Sequence, residues 1–523
     1  MAHGYGHGDM IASGGLSRAL GLPVSWADRR PSHVDKRVTR YLADLRTVAL
    51  TPYRLLTIGY DFVRPVPRLV EILDGWNHRN HERTGVWLVN ATIADYLDLV
   101  DHHRDRLPTI ALDPNPYWMG FYASRPEIKA AARELGRRLV AREAAQVATQ
   151  PVDGQGATAD SQSWWVAATS NHHDFVTGTA PDRVALGEQT QWLNRAIGRA
   201  PWPPRSPSTS GTRSVASAAD GGQVAAPPLE IDRDAHTVVV RGRWGSVTFD
   251  SRLGGAATAV TDEHGSELLG GPSLIVASYV DSGGLWRMGQ EIHGGRWSLA
   301  DRSDRHDATI EAHLVDGGAA AEISVRAACD DAAVHLRHTV RSADRAIVTH
   351  TTIHPRRRRS ITLVIRPDGP ANEITMHQPG GVLRRPIRRW YDPTFWPLHS
   401  FAATSFVAGP DAPSGAEAAS RIACATASPT ALHVDDDGAA HVIVARAPFK
   451  ELAFGVVPVM APAWGWRTGA QEATVAWTLL PGVRSSLDDI GMGRALSALA
   501  DSAAGRPSVD WPVSVEDPDV EVI

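Results

Sequence analysis

The hydrophobic positions change period repeatedly along the chain, and each change predicts a change of element. Val34, Val38, Leu42 and Leu45 recur on one helical face behind a Ser32/Asp35 capping-box spacing, so residues 33 to 46 read as an amphipathic helix. Leu55 to Ile58 is a short apolar run closed by Gly59, Tyr60 and Asp61, which reads as a buried strand. The helical period returns with Val66, Leu69, Val70, Leu73 and Trp76. Val86 to Val89 reads as a second strand, and Thr92 with Asp95 caps a further helix. Helices alternating with strands predict a parallel α/β unit, barrel-like and partial, over residues 1–115.

From Arg125 the period is helical throughout. RPEIKAAARELGRRLVAREAA places Pro126 at a helix start and predicts one long helix to about Gln146. Ser163 to His173 reads as a second helix. A third runs from about Pro181 to Ile197 on Val184, Leu186, Trp192, Leu193 and Ile197. Together they predict a three-helix bundle over 116–201. Residues 202–228 are dominated by Pro, Ser, Gly and Ala and read as a linker.

Beyond the linker the period falls to two. TVVVRGRW, SVTFD, ATIEAHLV, AEISVRAA, VHLRHTV, AIVTHTTI, ITLVIR, AHVIVAR and ATVAWTLL are short alternating segments between turn residues. They predict an antiparallel β-sandwich region filling 229–523. The fold class read from the chain is multidomain: α/β, then α, then β. The charge runs Arg356 to Arg359 and Asp435 to Gly438 read as solvated turns.

Composition narrows this picture. A length of 523 residues, 43% hydrophobic and 21% charged, fits a multidomain globular protein. The net charge of −5, with basic residues spread along the chain, gives no reason to expect nucleic acid as a partner. No apolar run approaches the roughly 20 residues a bilayer span needs; SLIVASYV, Ser273 to Val280, is typical of the longest. The N-terminus shows neither a charged n-region nor an apolar h-region, so the reading is cytoplasmic and not membrane-bound. Two cysteines, Cys329 and Cys424, exclude a disulfide framework and a cysteine-rich zinc site, while leaving one bridge open. Homo-oligomerisation is also left open.

Candidate chemistry gathers at three places. Asp61 stands at the end of the first expected strand, where α/β folds keep functional residues, although an aspartate there commonly bonds the turn backbone instead. SNHHDFVTGT, Ser170 to Thr179, sets His172 and His173 beside Asp174. By themselves these read first as hydrogen-bonded or surface histidines and only second as metal ligands. His7-Gly8-Asp9, with His3 nearby, has His-x-Asp spacing without a strand before it and reads as a histidine-bearing N-terminus. Tyr60, Trp164, Trp165, Trp390, Tyr391 and Trp396 offer flat faces to a sugar ring, though tryptophans serve mostly in packing.

Three stretches in order carry a family resemblance. IGYDFVRPVPRLVEILDGWN, YWMGFYASRPEIKAAAR and HHDFVTGTAPDRV resemble the D-F, YW-G-Y-SRP-K and HHD-TGT segments of class II α-mannosidases, glycoside hydrolase family 38. The resemblance implies a retaining, zinc-dependent glycosidase acting on α-mannosides or related glycans. By position, His173 would be a zinc ligand, Asp174 and His172 with Tyr60 would line the substrate site, and Asp61 would be the acid/base candidate. Zinc suits imidazole beside carboxylate, and retaining glycosidases need two carboxylates about 5 to 5.5 Å apart.

The family also places a His-x-Asp pair and a nucleophilic aspartate upstream of its D-F segment. Only 60 residues precede Asp61 here, so the expectation is an N-terminally truncated family member. The alternative is a catalytically inactive remnant that binds carbohydrate or serves as a scaffold.

Overall fold

The computed structural model describes residues 30–46, 49–56, 67–109, 120–149, 160–180, 182–203, 227–281, 297–330, 332–342, 347–368, 373–378, 381–386, 400–408, 421–435, 437–447, 473–483 and 496. The chain divides into two compact units, Met1–Leu112 and Asp113–Ile523.

In the first unit three helices are described: α1 Pro31–Arg46, α2 Leu69–Thr84 and α3 Ile93–Asp101. Val34 and Val38 of α1 close over Leu73 and Trp76 of α2 in a small core. Arg79 of α2 grips Asp35 of α1 with two hydrogen bonds, 3.0 and 2.8 Å. The expected capping box opens α3: the Thr92 hydroxyl accepts from Asp95 N–H, and the Asp95 carboxylate accepts from Thr92 N–H.

The expected strands of this unit require correction. Among the described residues it contains no strand; Leu55 and Leu56 and all of Val86–Val89 lie outside any ladder, while Thr57 and Ile58 fall outside the described residues. In place of a neighbouring strand, the buried Asn77 of α2 offers its side-chain amide to Leu88. Its Nδ2 donates to Leu88 O at 2.9 Å and its Oδ1 accepts from Leu88 N at 2.8 Å. One amide thus satisfies the backbone pair a ladder would have satisfied. Trp87 and Val89 stay largely exposed, so the apolar run marks no buried strand.

The second unit begins with helices. After a short helical turn at Gly120–Ala123 come α4 Pro126–Thr149, α5 Ser161–Ser170 and α6 Thr190–Arg199. A single π-turn, Ala185–Gln189, leads into α6. Ile128, Leu135 and Leu139 of α4, Val166 and Ala167 of α5, Phe175 and Leu193 form one buried cluster. The second helix is shorter than its apolar pattern suggests. It starts on the Asp160 cap, whose carboxylate accepts from Ser163 N–H and hydroxyl, and it stops at Ser170. His172 and His173 therefore stand on the following turn and not on the helix.

Every strand pairing in the rest of the unit is antiparallel. A four-stranded sheet has the order β1-β2-β3-β4, from Glu230–Arg233, Thr237–Gly242, Gly245–Asp250 and Ala256–Thr261. The second sheet is large. Its main path includes β5 Ile275–Asp281, β11 Ser360–Ile365, β16 Ala440–Ala445 and β15 Arg421–Val434. It continues through β17 Ala473–Val483, β10 Ile347–His354, β9 Ala332–Arg341 and β8 Ala320–Cys329. Val240, Val247 and Phe249 of the small sheet and Ile323, Leu336 and Leu363 of the large one belong to the same hydrophobic cluster. Cys329 and Cys424 are both buried and free, so no bridge joins them.

Arg356, Arg357 and Asp437 are exposed as solvated turns should be, but one residue of each charge run works inward. Arg359 pairs with Asp330, both mostly buried. Asp435 accepts from Ala439 N–H at 2.8 Å and from His441 at 3.1 Å, while Tyr279 hydrogen-bonds the other ring nitrogen of that histidine at 3.0 Å. Burial would raise the Asp435 carboxyl, but its hydrogen bond with His441 prevails and holds it down to about 2.

The bundle is tied to the large sheet by a fully buried ion pair. Arg446, just past β16, donates to Asp281 at the end of β5 at 2.9 Å, and the Ser360 hydroxyl donates to the same carboxylate oxygen at 2.8 Å. The Arg446 guanidinium also reaches the hydroxyl of Ser124, just ahead of α4, at 3.2 Å. No helix among the described residues is long and apolar enough to cross a membrane.

Candidate functional site

His172, His173 and Asp174 form the one group of three metal-capable side chains found together among the described residues; their donor atoms lie within 4.8 Å of one another. All three are exposed. The two imidazoles stack with ring centres 4.2 Å apart. His173 Nε2 lies 3.6 Å from Asp174 Oδ2, and His172 Nδ1 lies 4.0 Å from the same oxygen. Zinc bonds of about 2.0–2.2 Å put two tetrahedral ligands roughly 3.4 Å apart, so the His173–Asp174 spacing suits one ion. His172 is differently placed. Its Nδ1 accepts from Asp174 N–H at 3.1 Å, which leaves Nε2 as its free donor position and ties the ring to the turn.

The turn owes its shape to the segment around Ser124. Gly178 has φ +72°, and a Cβ built there would meet Ser124 O at 2.3 Å and Arg125 Cβ at 3.0 Å. Only glycine allows that approach. Arg125 itself takes a left-handed backbone, φ 48°, and is buried. Its guanidinium donates to Gly178 O at 2.7 Å, to Ala180 O, and to the Asp182 carboxylate. One turn on, the Lys129 ammonium donates to Ser124 O at 2.6 Å and to Thr177 O at 3.2 Å. The S-R-P-x-x-K and T-G-T stretches are thus two halves of one clasp.

Phe175 fixes the turn from the other side. It sits in the bundle core 6.4 Å from Trp192, which lies 5.7 Å from Trp165. At the end of the π-turn, the buried Gln189 points Nε2 at Asp174 O, 3.4 Å away. Sequence reasoning named both the S-R-P-x-x-K and the T-G-T stretches but gave Arg125 and Lys129 no role and missed Gln189. The signal for the pair was two cations four residues apart around a helix-starting proline.

Several candidate positions fall outside the described residues: Tyr60 and Asp61, His3, His7 and Asp9, and Trp390, Tyr391 and Trp396. Trp164 and Trp165 are described. Trp165 is exposed, whereas Trp164 is half-buried and donates to Glu143 at 2.5 Å, which makes it a bundle contact.

Comparison with known proteins bears on this unit. Residues 116–199 match the alpha mannosidase middle domain. A search of curated proteins returns no match. Among solved structures, an alpha-mannosidase from Enterococcus faecalis V583 superposes with a TM-score of 0.60 at 12% identity, covering 90% of this chain and 68% of that one. A glycosyl hydrolase family 38 protein from Enterococcus faecalis superposes with a TM-score of 0.57, at the same identity and coverage. At such identity the superpositions establish shared fold, in which helices precede antiparallel sheets. The chain is thus similar to the alpha mannosidase middle domain over residues 116–199, and it shares its fold with the alpha-mannosidase and the glycosyl hydrolase family 38 protein of Enterococcus faecalis.

Proposed function

We propose that the chain is a retaining, zinc-dependent glycoside hydrolase acting on α-mannosides or related glycans, with a partial catalytic domain at 1–115. The bundle at 116–201, the linker at 202–228 and a β-sandwich region at 229–523 complete this division. The observation that carries the reading is the His172–His173–Asp174 group on a turn clasped by the S-R-P-x-x-K segment. Imidazole with carboxylate is a donor set that suits zinc. His173 would be the ligand and Asp174 a substrate contact, with His172 and Tyr60 beside them and Asp61 as acid/base candidate. Bound zinc would supply a positive centre able to hold two sugar hydroxyls and fix the ring's pose.

This chain's own contribution is orientation. The clasp presents the imidazoles outward while Phe175 anchors the turn inward. The nucleophile and remaining ligands of such an enzyme would come from sequence ahead of the D-F segment or from another chain.

One observation favours a second reading, a catalytically inactive remnant that binds carbohydrate or acts as a scaffold. Among the described residues no fourth histidine, cysteine or carboxylate joins the exposed group, and a closed zinc site needs four ligands. Zinc content and hydrolysis of an aryl α-mannoside, measured on the purified chain, separate the two. Stoichiometric zinc, abolished by His173→Ala, is the expected result, with turnover appearing once the segment that carries the nucleophile is supplied. Mannoside binding without zinc or turnover would replace it with the second reading.

A further inference from the structure

We infer that Arg125, Lys129 and Gln189 are positioning residues that set the His172–His173–Asp174 turn by gripping its backbone carbonyls. The inference rests on the functional reading of that turn and extends it to groups that touch neither metal nor sugar.

Four carbonyls of residues 174 to 180 are held by side chains from elsewhere in the bundle. Gln189 takes Asp174 O, Lys129 takes Thr177 O, and Arg125 takes both Gly178 O and Ala180 O. Lys129 comes from the first turns of α4 and Arg125 from the residue before that helix, whereas Gln189 comes from the π-turn ahead of α6, so the turn is held from two sides at once. A π-turn shifts the side chains after it relative to an α-helix, and such turns recur at functional sites. Here the residue closing the π-turn is the one that reaches Asp174. With its carbonyls drawn inward onto buried donors, the turn has its imidazoles and carboxylate left on the outer side, as their exposure shows.

The arrangement is expensive, which argues against packing convenience. Arg125 occupies a left-handed backbone that non-glycine residues rarely adopt. Lys129 is buried beside Arg125 and Arg446; burial, with these like charges, pushes its amine down to about 7 despite Glu127. A methionine in the same place would fill similar space with no ion to desolvate, but would leave Ser124 O and Thr177 O without this donor. Groups that orient a ligand-bearing segment typically change metal affinity by 10–100-fold when removed.

The test uses the full chain with zinc ion alone as the probe. Lys129→Met and Arg125→Met should each weaken zinc binding by at least about ten-fold. Both should also accelerate amide exchange across residues 171–180 more than in the rest of the bundle. Arg125→Lys, which keeps the charge but cannot span two carbonyls and a carboxylate, should recover part of each effect. Ile323→Ala, a core truncation in β8, supplies a control matched for lost thermal stability and should leave both readouts at the wild-type value. Should the Arg125 and Lys129 variants fail to fold, Gln189→Leu carries the test, because among the described residues its side chain bonds only Asp174 O. Unchanged exchange over 171–180 would overturn the inference, as would a zinc loss in Ile323→Ala equal to that in Lys129→Met. If the wild type binds no zinc, the metal reading fails, yet the exchange measurement still decides whether these side chains set the turn.

Discussion

Gly178 is where a single hydrogen atom decides the local fold. At φ +72° any Cβ would stand 2.3 Å from Ser124 O, closer than real Cβ contacts come, so a side chain would force the two loops apart. Gly178→Ala is therefore expected to lose at least about 2 kcal/mol, combining the left-handed penalty with the clash. Denaturant unfolding measures it, and a loss under about 0.5 kcal/mol, the range of neutral surface changes, would show that the loops do not meet this way. The T-G-T and S-R-P-x-x-K stretches could each be picked out in the sequence, but their meeting could not. Arg125 and Gly178 are 53 residues apart, and no local period reports a close approach across such an interval. The same limit hid Lys129 and Gln189, whose partners are backbone atoms and leave no trace in side-chain pattern.

At the scale of elements, legibility follows how local the cause is. The capping box of α3 lies within four residues and was readable from Thr92 and Asp95. β9 buries and exposes alternate residues along nearly its whole length, so its period of two was plain. β15 was not foreseen, because SPT inside Arg421–Val434 looks like a turn. The register explains how Pro429 is tolerated: β17 pairs with residues 421–426, β16 with 432–434, and the ladder to the strand Ser400–Ala408 shifts between Ala403 and Ser405, so the missing N–H falls in a gap between ladders. Val86–Val89 shows the opposite error, an apolar run with no ladder, because Asn77 supplies the backbone partners. Asn77→Leu should cost about 1–3 kcal/mol by leaving Leu88 N–H and C=O without their amide. Hydrogen exchange at Leu88 checks it directly: retained protection in the variant would mean that another partner exists.

Across the whole second unit, buried ionisable groups give stability a pH dependence that no single element reveals. Burial alone pushes His338 in β9 down to about 3, so on the acid side the native state resists a proton the unfolded chain accepts, and stability falls as pH drops from about 6.5 towards 3. Asp435, held down to about 2, adds stability above its unfolded value that is lost as pH falls through the native one. Lys129 acts in the other direction. Its native pKa of about 7 lies below the ordinary lysine value of 10.5, so between these limits the unfolded chain binds the extra proton. Stability from this group must then rise with pH across that window, while below about pH 7 the full cost of burying the ammonium is present. Lys129→Met removes the titration. The stability of the wild type minus that of the variant is expected to increase from pH 7 towards pH 10, by up to about 1.4 kcal/mol per pH unit, in denaturant titrations of the two proteins side by side. A difference that stays flat over that range would mean that the lysine keeps its ordinary affinity for the proton, and hence that water reaches the junction between α4 and the turn.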